Sequence, residues 1–205
     1  MNKKETKKNG TGVAGAIMAA GCSSRMGQFK PLLPIGNTTF IRRIIGVMRS
    51  AGLDEIVVVG GARYEELAGH LDGEGVRLLY NPDFETTDMF ASFKIALRVL
   101  TDAPAVMFTP ADIVLPDETV YRALLSSDPD ADCIRPSYAG KSGHPILIRR
   151  RVFPMLLSFT GEGGLKSALN AADASYAWVD VDQKGILMDA DTPEDYRAVC
   201  NMLKY

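Results

Sequence analysis

The chain has 205 residues, 46% of them hydrophobic and 23% charged, which fits one soluble globular domain with its own core and excludes a disordered or collagen-like chain. Lysine and arginine together number 23 against 25 acidic residues, for a formal net charge of −2, so a general nucleic-acid binder is excluded. No window approaches the roughly 18 consecutive apolar residues needed to span a membrane.

Residues 1–10 carry four lysines and one glutamate, leaving the rest of the chain at −5. We read residues 1–11 as a flexible basic tail and 12–205 as a single domain. An apolar, β-rich run over 12–20 predicts the first strand. Residues 38–50 show a helical stripe with apolar positions 40, 41, 44, 45, 47 and 48. Strands follow at 55–59 and 76–80, separated by a short helix over 62–71. Thr86 or Thr87 is expected to cap a helix over 88–100. A strand is predicted at 105–109 and a helix at 117–125. The second half is less regular, with strands at 132–136, 145–149 and 176–181 and helices at 164–172 and 192–204. Thr192 as N-cap, Pro193 at the first helical position and two following acids mark the start of the last helix. Trp178 is expected in the core.

Such alternation of strands and helices, with near-continuously apolar strands, points to a mostly parallel sheet covered on both faces. Ligands of such sheets sit beyond the carboxyl ends of the strands. The loops after the first strand and after the strand at 105–109 are therefore where chemistry is expected. Gly10 to Gly15 match G-x-G-x-x-G, but the motif precedes a strand instead of following one, so a dinucleotide site there is not expected. The three cysteines, Cys22, Cys133 and Cys200, are too few and too scattered for a disulfide framework or a zinc site. A reducing cytoplasm is the expected compartment. With two histidines, any metal should be a hard cation on oxygen ligands.

Residues 19–30 read AAGCSSRMGQFK. Small residues let backbone N–H groups approach a ligand, and Ser23, Ser24, Arg25 and Lys30 add directed donors and charge. This composition suits a phosphate chain, although the loop is not a P-loop. The string Ala19-Ala20-Gly21-x-Ser23-x-Arg25-Met26-Gly27-x-x-Lys30-Pro31-Leu32-Leu33-Pro34 resembles the signature of the MobA-like nucleotidyltransferases, closest to their molybdenum cofactor cytidylyltransferase branch. The resemblance runs over about residues 13–203, through Asn81-Pro82, Ser92, Asp112, Gly143-His144-Pro145, Gly161 to Gly164 and Asp189 to Asp195.

The resemblance implies a Rossmann-like three-layer α/β/α fold of the nucleotide-diphospho-sugar transferase type. It implies a nucleoside triphosphate contacted by Ala19, Ala20, Gly21, Ser23, Arg25, Lys30, Asn81 and Ser92, with Ser92 on the exposed face of its helix. Ala20, where the guanylyl branch shows glycine, leans toward cytosine. Asp112 and Asp191, with Asp189 as a second candidate, would hold Mg²⁺. Arg25, Lys30 and Asp112 would carry catalysis. The acceptor would be a small phosphorylated compound, molybdopterin first, with a molybdoenzyme or its chaperone as a further partner.

His144 is a candidate for acceptor binding. Ile113-Val114 and Asp88 depart from the family pattern and bear on substrate identity. A sugar phosphate or other phosphorylated alcohol is therefore an alternative acceptor, and a non-catalytic nucleotide-binding accessory protein is an alternative of another class. Asp180-x-Asp182 and Asp189-x-Asp191 resemble a glycosyltransferase acidic pair, but they follow the last strands, which counts against that class.

Overall fold

A computed structural model describes residues 11–23 and 26–203. The basic tail, save Thr11, and Arg25 lie outside the described residues, as does the end of the last predicted helix. The elements in chain order are β1 (Ala14–Ala19), β2 (Pro34–Ile35), β3 (Thr38–Thr39), α1 (Phe40–Ser50), β4 (Ile56–Gly60), α2 (Tyr64–Leu71), β5 (Arg77–Tyr80), α3 (Met89–Val99) and β6 (Ala105–Pro110). Then come α4 (Glu118–Leu125), β7 (Cys133–Tyr138), β8 (Lys141–Ser142), β9 (Ile146–Arg149), α5 (Phe153–Ser158), α6 (Gly164–Ala171), β10 (Tyr176–Asp180) and α7 (Pro193–Met202).

The main sheet runs β10-β7-β9-β6-β1-β4-β5, with β8 paired to β7. β1, β4, β5 and β6 are mutually parallel, while β9 is antiparallel to both β6 and β7. The chain winds outward from β1 to β4 and β5, then returns to place β6 on the other side of β1. That reversal opens a crevice between the carboxyl ends of β1 and β6.

Both faces of the sheet are buried, which is why its strands read as unbroken apolar runs. Ile17 and Ala19 of β1 and Ile56 and Val58 of β4 face one core with α1 and α4. Ala14, Ala16 and Met18 face the other, against α3, α5 and α6. Burying each large aliphatic side chain contributes about 1.5–3 kcal/mol, so the two cores on either side of β1 fix the strand that leads into the site. β1 must be small at Gly15, where an added Cβ would lie 2.6 Å from Met48 Sδ.

The predicted strands and the main helices are present within a few residues. Four details differ. The strand at 146–149 runs against its neighbours, a direction that an apolar run does not encode. α5 was not anticipated, because Pro154 and its six-residue length give almost no periodic signal. Asp88, not a threonine, caps α3, accepting from the Ala91 N–H at 2.9 Å. Trp178 is not in the core; it is 60% exposed, because β10 is the edge strand and its indole N–H donates to Ser142 Oγ at 2.9 Å. α7 starts as expected, with a reciprocal Thr192–Asp195 capping box.

Gly143 seats the turn before β9 against the segment near Ile186. A Cβ there would sit 2.2 Å from the Ile186 carbonyl oxygen, which also accepts the His144 N–H at 3.0 Å. Gly143→Ala should therefore destabilise the fold by about 1–3 kcal/mol. The urea midpoint of unfolding reads this directly, and an unchanged midpoint would show that the two segments separate at no cost.

Candidate active site

The crevice between β1 and β6 has a volume of about 500 Å³. One wall is the loop after β1, with Ala19, Gly21, Ser23, Lys30 and Pro31; another is Pro110 to Ile113; His144, Asp189 and Asp191 close it from the second half of the chain. A smaller cavity of about 190 Å³ adjoins it, lined by Met18, Ala20, Gly21, Phe84, Thr87, Asp88, Met89 and Ser92. Met18, Gly21 and Met89 border both.

The loop after β1 is held by its own residues. Ser23 adopts φ +53° and Gly27 φ +69°, so the chain doubles back, with the Ser23 carbonyl accepting from the N–H groups of Met26 and Gly27 at 3.1 and 3.2 Å. Ser23 Oγ then accepts the Lys30 N–H at 3.1 Å. Met26, Phe29 and Leu33 are buried and pin the loop to the core. A 3-10 turn at Lys30–Leu32, stiffened by Pro31, aims the Lys30 side chain into the crevice. Gly61 keeps the neighbouring β4 end close, since a Cβ there would lie 2.7 Å from the Ala20 carbonyl oxygen.

At the crevice floor Lys30 Nζ donates to Asp112 Oδ2 at 2.9 Å and also to Asp191 Oδ1. The Lys30 side chain is only 13% exposed, and the two carboxylates about a fifth. Burial alone would lower the lysine pKa; the hydrogen bonds to Asp191 and Asp112 outweigh it and leave it raised, so the ammonium is fully charged at neutral pH. Asp189 is pushed up, first by burial and then by the charges of Asp191 and Asp112. Among the described residues, three acids and one ammonium meet at this floor.

Asp112 and Asp191 arrive from loops after β6 and before α7, and the structure brings them to one point. Among the described residues no cluster of three or more His, Cys, Asp or Glu side chains can hold a metal by itself. Two carboxylates beside space for a phosphate chain match the usual Mg²⁺ donor set, which takes one or two carboxylates plus phosphate oxygens and water.

Ser92 is buried at 2% exposure, not on an exposed face. It accepts from Asn81 Nδ2 at 3.0 Å and still borders the smaller cavity. Asn81 is buried behind that wall, where it also donates to Thr87 Oγ1 and accepts the Asp83 N–H. Phe84 and Thr87 line the cavity and were not anticipated; their only signal is a position just past β5, on the same carboxyl edge. Cys22 is exposed and borders neither cavity.

His144 packs its ring 5.5 Å from Phe108, and its Nδ1 is buried with no hydrogen-bond partner. Burial, helped by the Arg135 charge, pushes its pKa down to about 4. It faces the crevice as a neutral imidazole, able to donate or accept one hydrogen bond. The unfolded chain would take up this proton first, so the contribution of His144 to stability is complete above about pH 6.5 and shrinks as pH falls toward 4. In an NMR titration of the two histidines, His144 should titrate near 4; a midpoint near 6.5 would mean its ring is hydrated.

Residues 15–176 match the MobA-like NTP transferase domain. The chain belongs to this family. It is a nucleotidyltransferase by that membership, and its mixed, mostly parallel α/β/α fold is that of the nucleotide-diphospho-sugar transferases. It is similar to the molybdenum cofactor cytidylyltransferase of Escherichia coli K12, at 28% identity over 88% of this chain and 91% of that one. It is also similar to the nicotine blue oxidoreductase of Paenarthrobacter nicotinovorans, at 25% identity over 89% of this chain and 93% of that one. Among solved structures, the Rv0371c protein of Mycobacterium tuberculosis H37Rv superposes with a TM-score of 0.81 at 27% identity, covering 92% of this chain and 97% of that one. A structure of that protein in complex with manganese superposes with a TM-score of 0.77 at 25% identity, with the same coverage.

Proposed function

We propose that this enzyme moves a nucleoside monophosphate from CTP to a small phosphorylated acceptor, molybdopterin in the first place, with release of pyrophosphate. The observation that carries the reading is the convergence of Lys30, Asp112 and Asp191 on the floor of a crevice walled by a phosphate-suited loop. An acceptor phosphate oxygen attacks the α-phosphorus, the bond from that phosphorus to the bridging oxygen breaks, and pyrophosphate departs in line. An acceptor phosphate is already anionic at neutral pH, so no general base is required. Catalysis then rests on positioning and charge compensation.

Lys30, and Arg25 from the same loop, offset charge on the β- and γ-phosphates as pyrophosphate forms. Backbone groups at Ala19, Ala20 and Gly21 hold the nucleoside, and His144 gives the acceptor a neutral hydrogen-bonding partner. Asp112 and Asp191 would hold Mg²⁺, with Asp189 beside them, and the ion would supply charge neutralisation for the phosphates. The manganese complex of the mycobacterial relative supports a divalent cation in this fold.

No helix among the described residues is long and apolar enough to cross a membrane, and the cysteines are unpaired; we place the enzyme in the cytoplasm. The test is pyrophosphate release from CTP, GTP, ATP and UTP with Mg²⁺, with and without molybdopterin or a sugar phosphate. Release that depends on CTP and molybdopterin is expected, and release with the sugar phosphate alone would move the acceptor.

The smaller cavity suits a single-ring base, and Asp88 on its wall is acceptor-only. Cytosine offers an amino donor where uracil offers a carbonyl oxygen. Asp88→Asn keeps an N-cap residue for α3 and should lower the kcat/KM preference for CTP over UTP by about tenfold. An unchanged ratio would remove Asp88 from base recognition.

A further inference from the structure

An ammonium bridges Asp112 and Asp191, the two carboxylates proposed as cation ligands. Lys30 Nζ lies 2.9 Å from Asp112 Oδ2 and is hydrogen bonded to Asp191 Oδ1. These partners stand 82 and 161 residues away in sequence, so the three-way contact is a product of the fold and not of local chain preference. The Lys30 backbone is fixed by Ser23 Oγ and by the turn through Pro31, while its ammonium sits at the end of four flexible methylenes. An ammonium hydrogen bonded to both carboxylates competes for their charge with any cation that they would hold.

We infer that Lys30 is an internal counter-ion that keeps the carboxylate pair closed to metal until a nucleoside triphosphate arrives. A triphosphate brings about four negative charges to the same crevice. Its oxygens draw the ammonium off the carboxylates, and only then can Asp112 and Asp191 share a cation with the phosphates. Nucleotide thus loads before the metal or together with it, never after. The inference rests on the reading of Asp112 and Asp191 as cation ligands.

The probe is Mn²⁺, with free ion counted by electron paramagnetic resonance. In nucleotide-free protein, Lys30→Met should bind Mn²⁺ at least about tenfold tighter than the wild type, and adding Asp112→Asn to that variant should abolish the gain. In wild type, the α,β-methylene analogue of whichever nucleotide supports pyrophosphate release should create a protein-held Mn²⁺. It is read as water-proton relaxation enhancement beyond that of the Mn²⁺–analogue complex alone. Should Lys30→Met fail to fold, this wild-type comparison decides by itself. Nucleotide-free wild type binding Mn²⁺ as tightly as it does with the analogue, or as tightly as Lys30→Met, would overturn the inference and leave the cation reading standing. Absence of protein-held Mn²⁺ in every state would overturn both.

Discussion

Lys30→Ala should lower kcat/KM for the triphosphate by about 10²–10³-fold, the usual cost of removing one preorganised group that stabilises charge in a transition state. The reason is geometric. Lys30 is the cation that the described residues place on the crevice floor, 13% exposed, where an ammonium interacts more strongly with phosphate than it would in water. Lys30→Arg should recover only part of the rate, because a planar fork cannot follow the path of a flexible point charge. The fold should persist, since the core beneath the loop rests on Met26, Phe29 and Leu33. The far-ultraviolet circular dichroism spectrum and a cooperative melt check that. A Lys30→Ala enzyme with undiminished turnover would take Lys30 out of the reaction.

The second large effect belongs to the carboxylates. Asp112→Asn and Asp191→Asn should each reduce Mg²⁺-dependent turnover by about 10³-fold. The double variant should be little worse than either single one, because the two proposed ligands of one cation would act as a unit. Asp189→Asn should cost far less. Asp189 borders the crevice, but Lys30 donates to Asp112 and Asp191. Steady-state rates against Mg²⁺ concentration separate the cases: loss of a ligand moves the Mg²⁺ requirement upward, whereas a purely structural lesion lowers the plateau without moving it. Retained Mg²⁺-dependent turnover in Asp112→Asn would remove that residue from the cation site.

Much of this arrangement was legible in the sequence. Strands buried on both faces leave unbroken apolar runs, and helices with one buried face leave a stripe, so the order of elements along the chain follows from periodicity, while their order in the sheet does not. The composition of the loop from Ala19 to Lys30 and the position of Asp112 at the end of a strand point to the crevice that both border. Contacts between distant segments were hidden. Nothing local announces that Lys30 meets Asp191, nor that Ser92 is turned inward by Asn81. Burial of an aromatic residue is equally non-local: Trp178 has strand neighbours on one side only, because β10 is the last strand of the sheet, and its neighbour order cannot be read from β10 itself. Asp88 lay in plain sight as a departure from the family pattern, but its place on a cavity wall came from the close approach of α3 to the end of β1.

This crevice, we propose, joins a nucleotide to a phosphorylated acceptor. The most direct measurement follows [α-³²P]CTP with Mg²⁺ and molybdopterin, and counts label in the acceptor against pyrophosphate released. One labelled monophosphate on the acceptor is expected for each pyrophosphate, with both lost in Asp112→Asn. Tight CTP binding without label transfer to any phosphorylated acceptor would contradict it.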